Sequence, residues 1–145
     1  MNGHDNHNEA INKMAKEESL ERLATQELGR LVVRRKDDMD IFPVNYALDG
    51  ESVYFRTAEG SKLFSVSLNH DVLFEVDHVE GDKAWSVVIK GEAEVLKSYQ
   101  DIEKADELPL KPWLPTLKYN YVRINAREIS GRYFNLGEEP ERYQG

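Results

Sequence analysis

Between residues 85 and 95 the chain alternates with a period of two. Trp85, Val87, Ile89, Gly91, Ala93 and Val95 fall on one side, and Ser86, Lys90, Glu92 and Glu94 on the other. Successive side chains of an extended strand point to opposite faces, so this run predicts a long amphipathic β-strand with one buried face. Gly91 in its middle marks a candidate bulge.

Such a strand needs neighbours. Val72, Phe74 and Val76 alternate with Leu73, Glu75 and Asp77, predicting a second half-buried strand that ends at a Gly81-Asp82 turn. Over residues 41–48, Ile41, Pro43, Asn45 and Ala47 alternate with Phe42, Val44, Tyr46 and Leu48. Both faces carry bulk, as a closed barrel with an outer ligand or subunit would require. Pro43 cannot donate to a ladder, so it predicts an edge, a bulge or an open seam. Asp49-Gly50 then separates residues 41–48 from a second β-rich run at 52–55. A step of this kind supplies the positive φ of a hairpin turn.

Two short helices complete the pattern. Ser19 is placed to cap a helix carrying Leu20, Leu23, Ala24 and Leu28, with Gly29 at its C-terminal end. Ser98 and Asp101 form a capping pair before Ile102, Ala105 and Leu108. Residues 108–115 hold three prolines, which predicts a rigid loop presenting Trp113. The polar residues 1–18 are expected to be a mobile tail, 19–136 the single folded domain, and 137–145 an acidic tail.

Composition narrows the function classes. Asp and Glu outnumber Lys and Arg 27 to 19, and the net charge of −8 opposes nonspecific attraction to nucleic acid or an anionic membrane. The absence of cysteine removes disulfides, thiolate chemistry and Cys-based zinc sites. No apolar run approaches a membrane span, and residues 1–18 lack the apolar core of a secretory signal, so a cytoplasmic location is expected. Neither a Ser-His-Asp grouping nor a His-Glu-x-x-His motif stands out, and His70 and His78, flanking a strand, suit turn and surface roles.

The chemistry-bearing residues gather after the hairpin. Arg56, Thr57, Gly60, Ser61 and Lys62 precede Leu63, Phe64, Val66 and Leu68, whose spacing suits a short helix. A strand-to-helix junction with two cations, two hydroxyls and free backbone N–H groups suits a phosphate. The same residues also suit a solvated helix start with Thr57 or Ser61 as its cap. Spacing alone leaves both readings open.

From about residue 20 to residue 134 the chain resembles the split-barrel family related to pyridoxamine-phosphate oxidase, which binds flavin mononucleotide (FMN). The resemblance lies in Gly29-Arg30-Leu31, in Pro43-Val44-Asn45-Tyr46, in Thr57 with Gly60-Ser61-Lys62, in Trp85-Ser86-Val87 through Gly91 and Ala93, in Pro112-Trp113, and in a closing strand over residues 121–132. It implies a mainly β, single-domain split barrel. By the same resemblance Arg56 and Lys62 neutralise the FMN phosphate, and Thr57 and Ser61 donate to it. The backbone of Pro43, Val44, Asn45 and Tyr46 meets the ring system, and Trp85 and Ser86 lie beside the flavin and a dimer seam. Trp113 lines the flavin or substrate pocket; read by themselves, Trp85 suits an ordinary core position and Trp113 could pack under its own prolines. Arg123 and Arg132 could meet a phosphate or acidic substrate, or pair at the surface.

The implied function is an FMN-dependent oxidoreductase acting on a small molecule, as a homodimer sharing its cofactor sites across the two-fold axis. Alternatives of the same fold are a non-catalytic flavin carrier and a haem or deazaflavin (F420) binder; a third class is a cofactor-free interaction module. The end of the chain, from Gly131-Arg132-Tyr133-Phe134 to Gly137-Glu138-Glu139-Pro140, departs from the Arg-Leu-x-Pro substrate motif of true pyridoxamine-phosphate oxidases. Oxidation of a vitamin B6 phosphate is therefore not implied.

Overall fold

The computed structural model describes residues 11–35, 37–58, 71–110 and 119–137. Its elements are β1 (Ile11–Met14), α1 (Lys16–Leu23), β2 (Leu28–Arg35), β3 (Asp38–Asp49), β4 (Ser52–Ala58), β5 (Asp71–Glu80), β6 (Lys83–Val95), α2 (Tyr99–Asp106) and β7 (Tyr119–Asn135). All ladders are antiparallel, in the order β1-β7-β4-β3-β2-β5-β6, and β6 pairs again with β7. That last pairing closes six strands into a barrel and leaves β1 outside it on the edge of β7.

The closure is staggered. Partners followed from Asp40 run through Val33, Val72, Gly91 and Ala126, and adjoining Asn125 leads through Ser52 back to Asp49, nine residues further along β3. Such a shear tilts the strands and leaves an interior wide enough only for side chains. Leu31, Val53, Phe55, Phe74, Val87, Ile89, Val122 and Ile124 fill it, each fully buried. Burying each is worth about 1.5–3 kcal/mol against exposure.

The alternation over β6 holds as expected: Trp85, Val87, Ile89, Gly91 and Ala93 are buried. The ladder with β7 slips at Gly91, where Lys90 faces Glu128 but Gly91 faces Ala126, leaving Arg127 as the extra residue of a bulge. The hairpin joining β3 to β4 turns at Gly50, φ +62°, with Asp49 opposite Ser52. The turn is thus Gly50-Glu51, one residue later than the Asp-Gly step implied.

Four expectations need correction. Residues 11–18 are not a mobile tail, because Ile11–Met14 pairs with residues 131–134 of β7 and α1 begins at Lys16. Ser19 lies inside α1 rather than capping it, and its buried hydroxyl donates to the Ala15 carbonyl at 3.0 Å. Gly29 does not end a helix; it lies in β2, where a Cβ would come within 2.4 Å of the Phe74 ring, so the need is for close approach rather than positive φ. Arg56 and Thr57 belong to β4 itself, paired with Tyr121 and Asn120, and do not follow the strand. The α2 helix forms as expected, with the Ser98 hydroxyl accepting from the Asp101 N–H at 3.1 Å. Ser61, Lys62, the helix expected at residues 63–68, His70 and Trp113 lie outside the described residues.

Candidate functional site

The barrel is split where β3 leaves β4. These strands pair only from Tyr46–Phe55 to Asp49–Ser52. Beyond that rung Asn45, Val44 and Pro43 continue along β2, while Arg56, Thr57 and Ala58 continue along β7. The Tyr46 N–H donates to the Glu27 carbonyl at 2.9 Å. Antiparallel amides alternate in direction, so Pro43, opposite Arg30, presents its donorless nitrogen to the side away from β2. The predicted open seam is there, and Pro43 suits it because no amide is left unbonded.

Strand alternation divides the predicted residues between two faces. Val44, Tyr46 and Thr57 point inward and are buried, while Pro43 is exposed and Asn45 and Arg56 are partly exposed. The Tyr46 hydroxyl donates to the Leu23 carbonyl at 2.5 Å, and its ring meets Phe74 edge-on at 5.0 Å. Burial pushes its ionisation well above the ordinary tyrosine range. Tyr46 thus ties α1 to the core, leaving its backbone, not its side chain, at the seam.

On the outer face of β4, the Arg56 Cζ lies 3.5 Å from the centroid of the Tyr119 ring. A guanidinium so placed is held by the ring's negative face. Among the described residues its buried Nε has no hydrogen-bond partner, and the same is true of the Arg123 Nε. Among the described residues Arg56 has no carboxylate partner, whereas Arg123 on the same face pairs with Glu94 at 3.0 Å and Asp101 at 3.6 Å. Of the two arginines, Arg123 is neutralised by carboxylates, as surface pairing predicted, and Arg56 is not among the described residues.

Behind Arg56 stands a small aromatic layer absent from the sequence reading. The Tyr119 ring packs edge-on to Tyr121 at 5.4 Å, and the Tyr121 hydroxyl donates to the Asp106 carboxylate at the end of α2. Burial first, then this hydrogen bond, pushes the Tyr121 hydroxyl's pKa upward. A cavity of about 280 Å³ adjoins the layer, lined by Leu96, Ile102, Asp106, Tyr119, Asn120 and Tyr121. Period-two spacing of Tyr119 and Tyr121 put them on one face, but only the ladder to Arg56 showed what they face.

Trp85 and Ser86 are not part of this cluster within one chain. Trp85 lies opposite Tyr133 of β7, and Arg56 opposite Tyr121, twelve residues away. At about 3.3 Å per residue that is roughly 40 Å of strand. Trp85 is a buried core residue beside His78, ring centroids 6.3 Å apart, and Ser86 is half-buried on the outer face.

This seam, its stacked arginine and the long closing strand can be set beside known proteins. A profile of the pyridoxamine 5′-phosphate oxidases matches residues 15–133. The chain belongs to the pyridoxamine 5′-phosphate oxidase family. A Corynebacterium glutamicum protein provisionally named for that family is 55% identical, with a TM-score of 0.81 over 89% of this chain and 97% of the other. The FAD-binding protein from Mycobacterium smegmatis is 36% identical, with a TM-score of 0.80 over 87% of this chain and all of that one. An uncharacterised Mycobacterium tuberculosis protein is 43% identical over 97 residues, 67% of this chain and 88% of its own. The family match starts inside α1's approach and ends within β7, so it takes in the whole barrel. Among the described residues no helix is long and apolar enough to cross a membrane, and no cluster of three or more His, Asp or Glu could hold a metal ion.

Proposed function

We propose that this protein is a flavin-dependent oxidoreductase that binds FMN at the seam between β3 and β4. The observation that carries the reading is Arg56: a guanidinium stacked on Tyr119 with no carboxylate partner among the described residues, where Arg123 on the same face has two. A phosphate oxygen meeting the terminal N–H groups of Arg56 would gain a charge-assisted bond. Lys62 and Ser61, a few residues beyond β4, are the further phosphate contacts the family resemblance implies. The backbone of residues 43–45, beyond the end of the β3–β4 ladder, borders the place for the ring system.

The bound flavin would supply the redox chemistry, exchanging a hydride or electrons at its ring with a small-molecule substrate. The chain's own residues then have three tasks: Arg56 fixes the phosphate, the seam backbone orients the ring, and the barrel wall excludes water from one side. None of them needs to be a nucleophile.

The functional unit in this reading is a homodimer. Ile41, Val32 and Leu73 are mutual partners across β3, β2 and β5 on the outer face, and Ile41, Leu73, Met39 and Leu28 are all exposed. This apolar strip borders the seam, so a second copy covering it would also cover the flavin. It could bring another Trp85–Ser86 strand to the site, which no single chain does.

The deciding measurement is a visible spectrum of the purified protein before and after addition of FMN or FAD and desalting, with mass by light scattering in the same run. Retained FMN bands on a dimer are expected. Retention of FAD alone would change the flavin to the one the M. smegmatis relative is named for; a haem or deazaflavin band would replace the mechanism, and a colourless protein would leave an interaction module.

A further inference from the structure

We propose that Tyr119 is a positioning residue, holding Arg56 in the orientation from which it receives the anionic end of the ligand, with Tyr121 and Asp106 fixing Tyr119 in turn. The inference rests on the reading of Arg56 as the phosphate contact. A free arginine side chain has about 2 kcal/mol of rotamer entropy to lose on binding, and an arginine on a strand at an open seam would carry that penalty in full. Here the guanidinium already lies 3.5 Å over a ring.

Each further link is a separate observation. The Tyr119 ring cannot tilt freely because Tyr121 packs against it with the rings 82° apart. Tyr121 is buried, and its hydroxyl is bound to Asp106, the last residue of α2. The underside of α2 rests on the same layer through Ala105 and Ile102. The position of Arg56 is therefore linked to α2 through Tyr119, Tyr121 and Asp106. Stacking of this kind uses the face of the guanidinium and leaves its in-plane N–H groups for oxygen acceptors, which an ion pair would have occupied. Arg123, on the next strand and the same face, is the contrast: its terminal nitrogens are taken by Glu94 and Asp101.

The test compares FMN with riboflavin, which lacks the phosphate. Dissociation constants by flavin fluorescence quenching are expected to rise about tenfold for FMN in Tyr119→Leu and to stay within about twofold for riboflavin. Tyr119→Phe, which keeps the ring and loses the hydroxyl, should match the wild type with both. Without any flavin, the Arg56 Nε–H resonance, identified by its loss in Arg56→Lys, should be shifted by the ring and move in Tyr119→Leu but not in Tyr119→Phe. The effect on FMN should vanish in an Arg56→Ala background. Equal weakening of FMN and riboflavin, or an effect that persists without Arg56, would overturn the proposal. If Arg56→Ala weakens FMN while Tyr119→Leu does not, the phosphate reading stands and the positioning role is overturned alone. If Arg56→Ala leaves FMN affinity unchanged, the phosphate reading fails and the proposal falls with it.

Discussion

The wall formed by β5, β6 and β7 and the seam between β3 and β4 are built from similar residues to opposite ends. Along the wall, β5 and β6 pair at every residue from Asp71–Glu92 to Glu80–Lys83, and β6 follows β7 from Lys83–Asn135 to Val95–Val122 with one bulge. At the seam the ladder ends after four pairs. Wall positions are largely alike in kind, inward apolar and outward mostly polar, with Leu73 and Val79 as exposed exceptions. Each seam position has its own chemistry: a proline without a donor, a threonine turned inward, an arginine turned outward. The difference separates residues whose work is cohesion from those free to meet a ligand.

The largest expected effect breaks the wall. Ile89 is fully buried at the centre of β6, opposite Phe74 and Ile129. Ile89→Ala removes its packing and leaves a cavity, so a loss of about 2–5 kcal/mol is expected from urea unfolding. Flavin affinity of the folded fraction should hardly change. A change in affinity as large as the change in stability would mean that wall and seam are not separable.

The converse variant acts on the seam. Arg56→Ala with Lys62→Ala should reduce FMN affinity at least tenfold, on the order of 1.4 kcal/mol or more. Its unfolding midpoint should move little, because Arg56 has no ion pair among the described residues for the fold to lose. Titration calorimetry and a denaturant curve on the same preparation give both numbers, and unchanged affinity removes the phosphate cradle.

The wall was also the more legible region. Period-two spacing located β5 and β6 and their buried faces because burial of one face selects alternation directly. The helix α2 was legible through its cap. Misread features depended on partners distant in sequence. Gly29 looked like a helix terminator, since nothing local signals that Phe74, 45 residues on, presses against it. Residues 11–14 looked like a tail, since they continue a polar run rich in Asn and His and their order comes from an edge that β7 supplies. Arg56 and Thr57 read as neighbours on one phosphate, but strand alternation turns them to opposite faces. Pro43 was readable because a missing donor is a local fact wherever the strand lies.

A smaller effect tests the wall's outer surface. Arg30 of β2 donates to Glu75 at 2.6 Å and to Asp77 at 2.9 Å across the ladder to β5. Burial first, and then the hydrogen bond with Asp77, lifts the Glu75 carboxyl from its ordinary 4.5 to about 7 and outweighs the pull of Arg30. Asp77 shifts downward, mainly through its bond with Glu75, and His78 is also near. A carboxyl whose folded pKa is raised holds its proton more tightly in the folded state. Its stabilisation is complete below about 4.5 and is lost as pH rises through about 7. Asp77 acts in the opposite sense and only at lower pH, so the interval from pH 5 to 8 reports Glu75. The pair is partly solvated, which reduces the effect to about 1–2 °C in melting temperature. Glu75→Gln keeps the shape without the ionisation and should flatten that decline, so wild type minus variant becomes more negative from pH 5 to pH 8. A difference that does not vary with pH would mean that Glu75 titrates in the folded barrel as it does in the unfolded chain, and that Arg30 governs this surface after all.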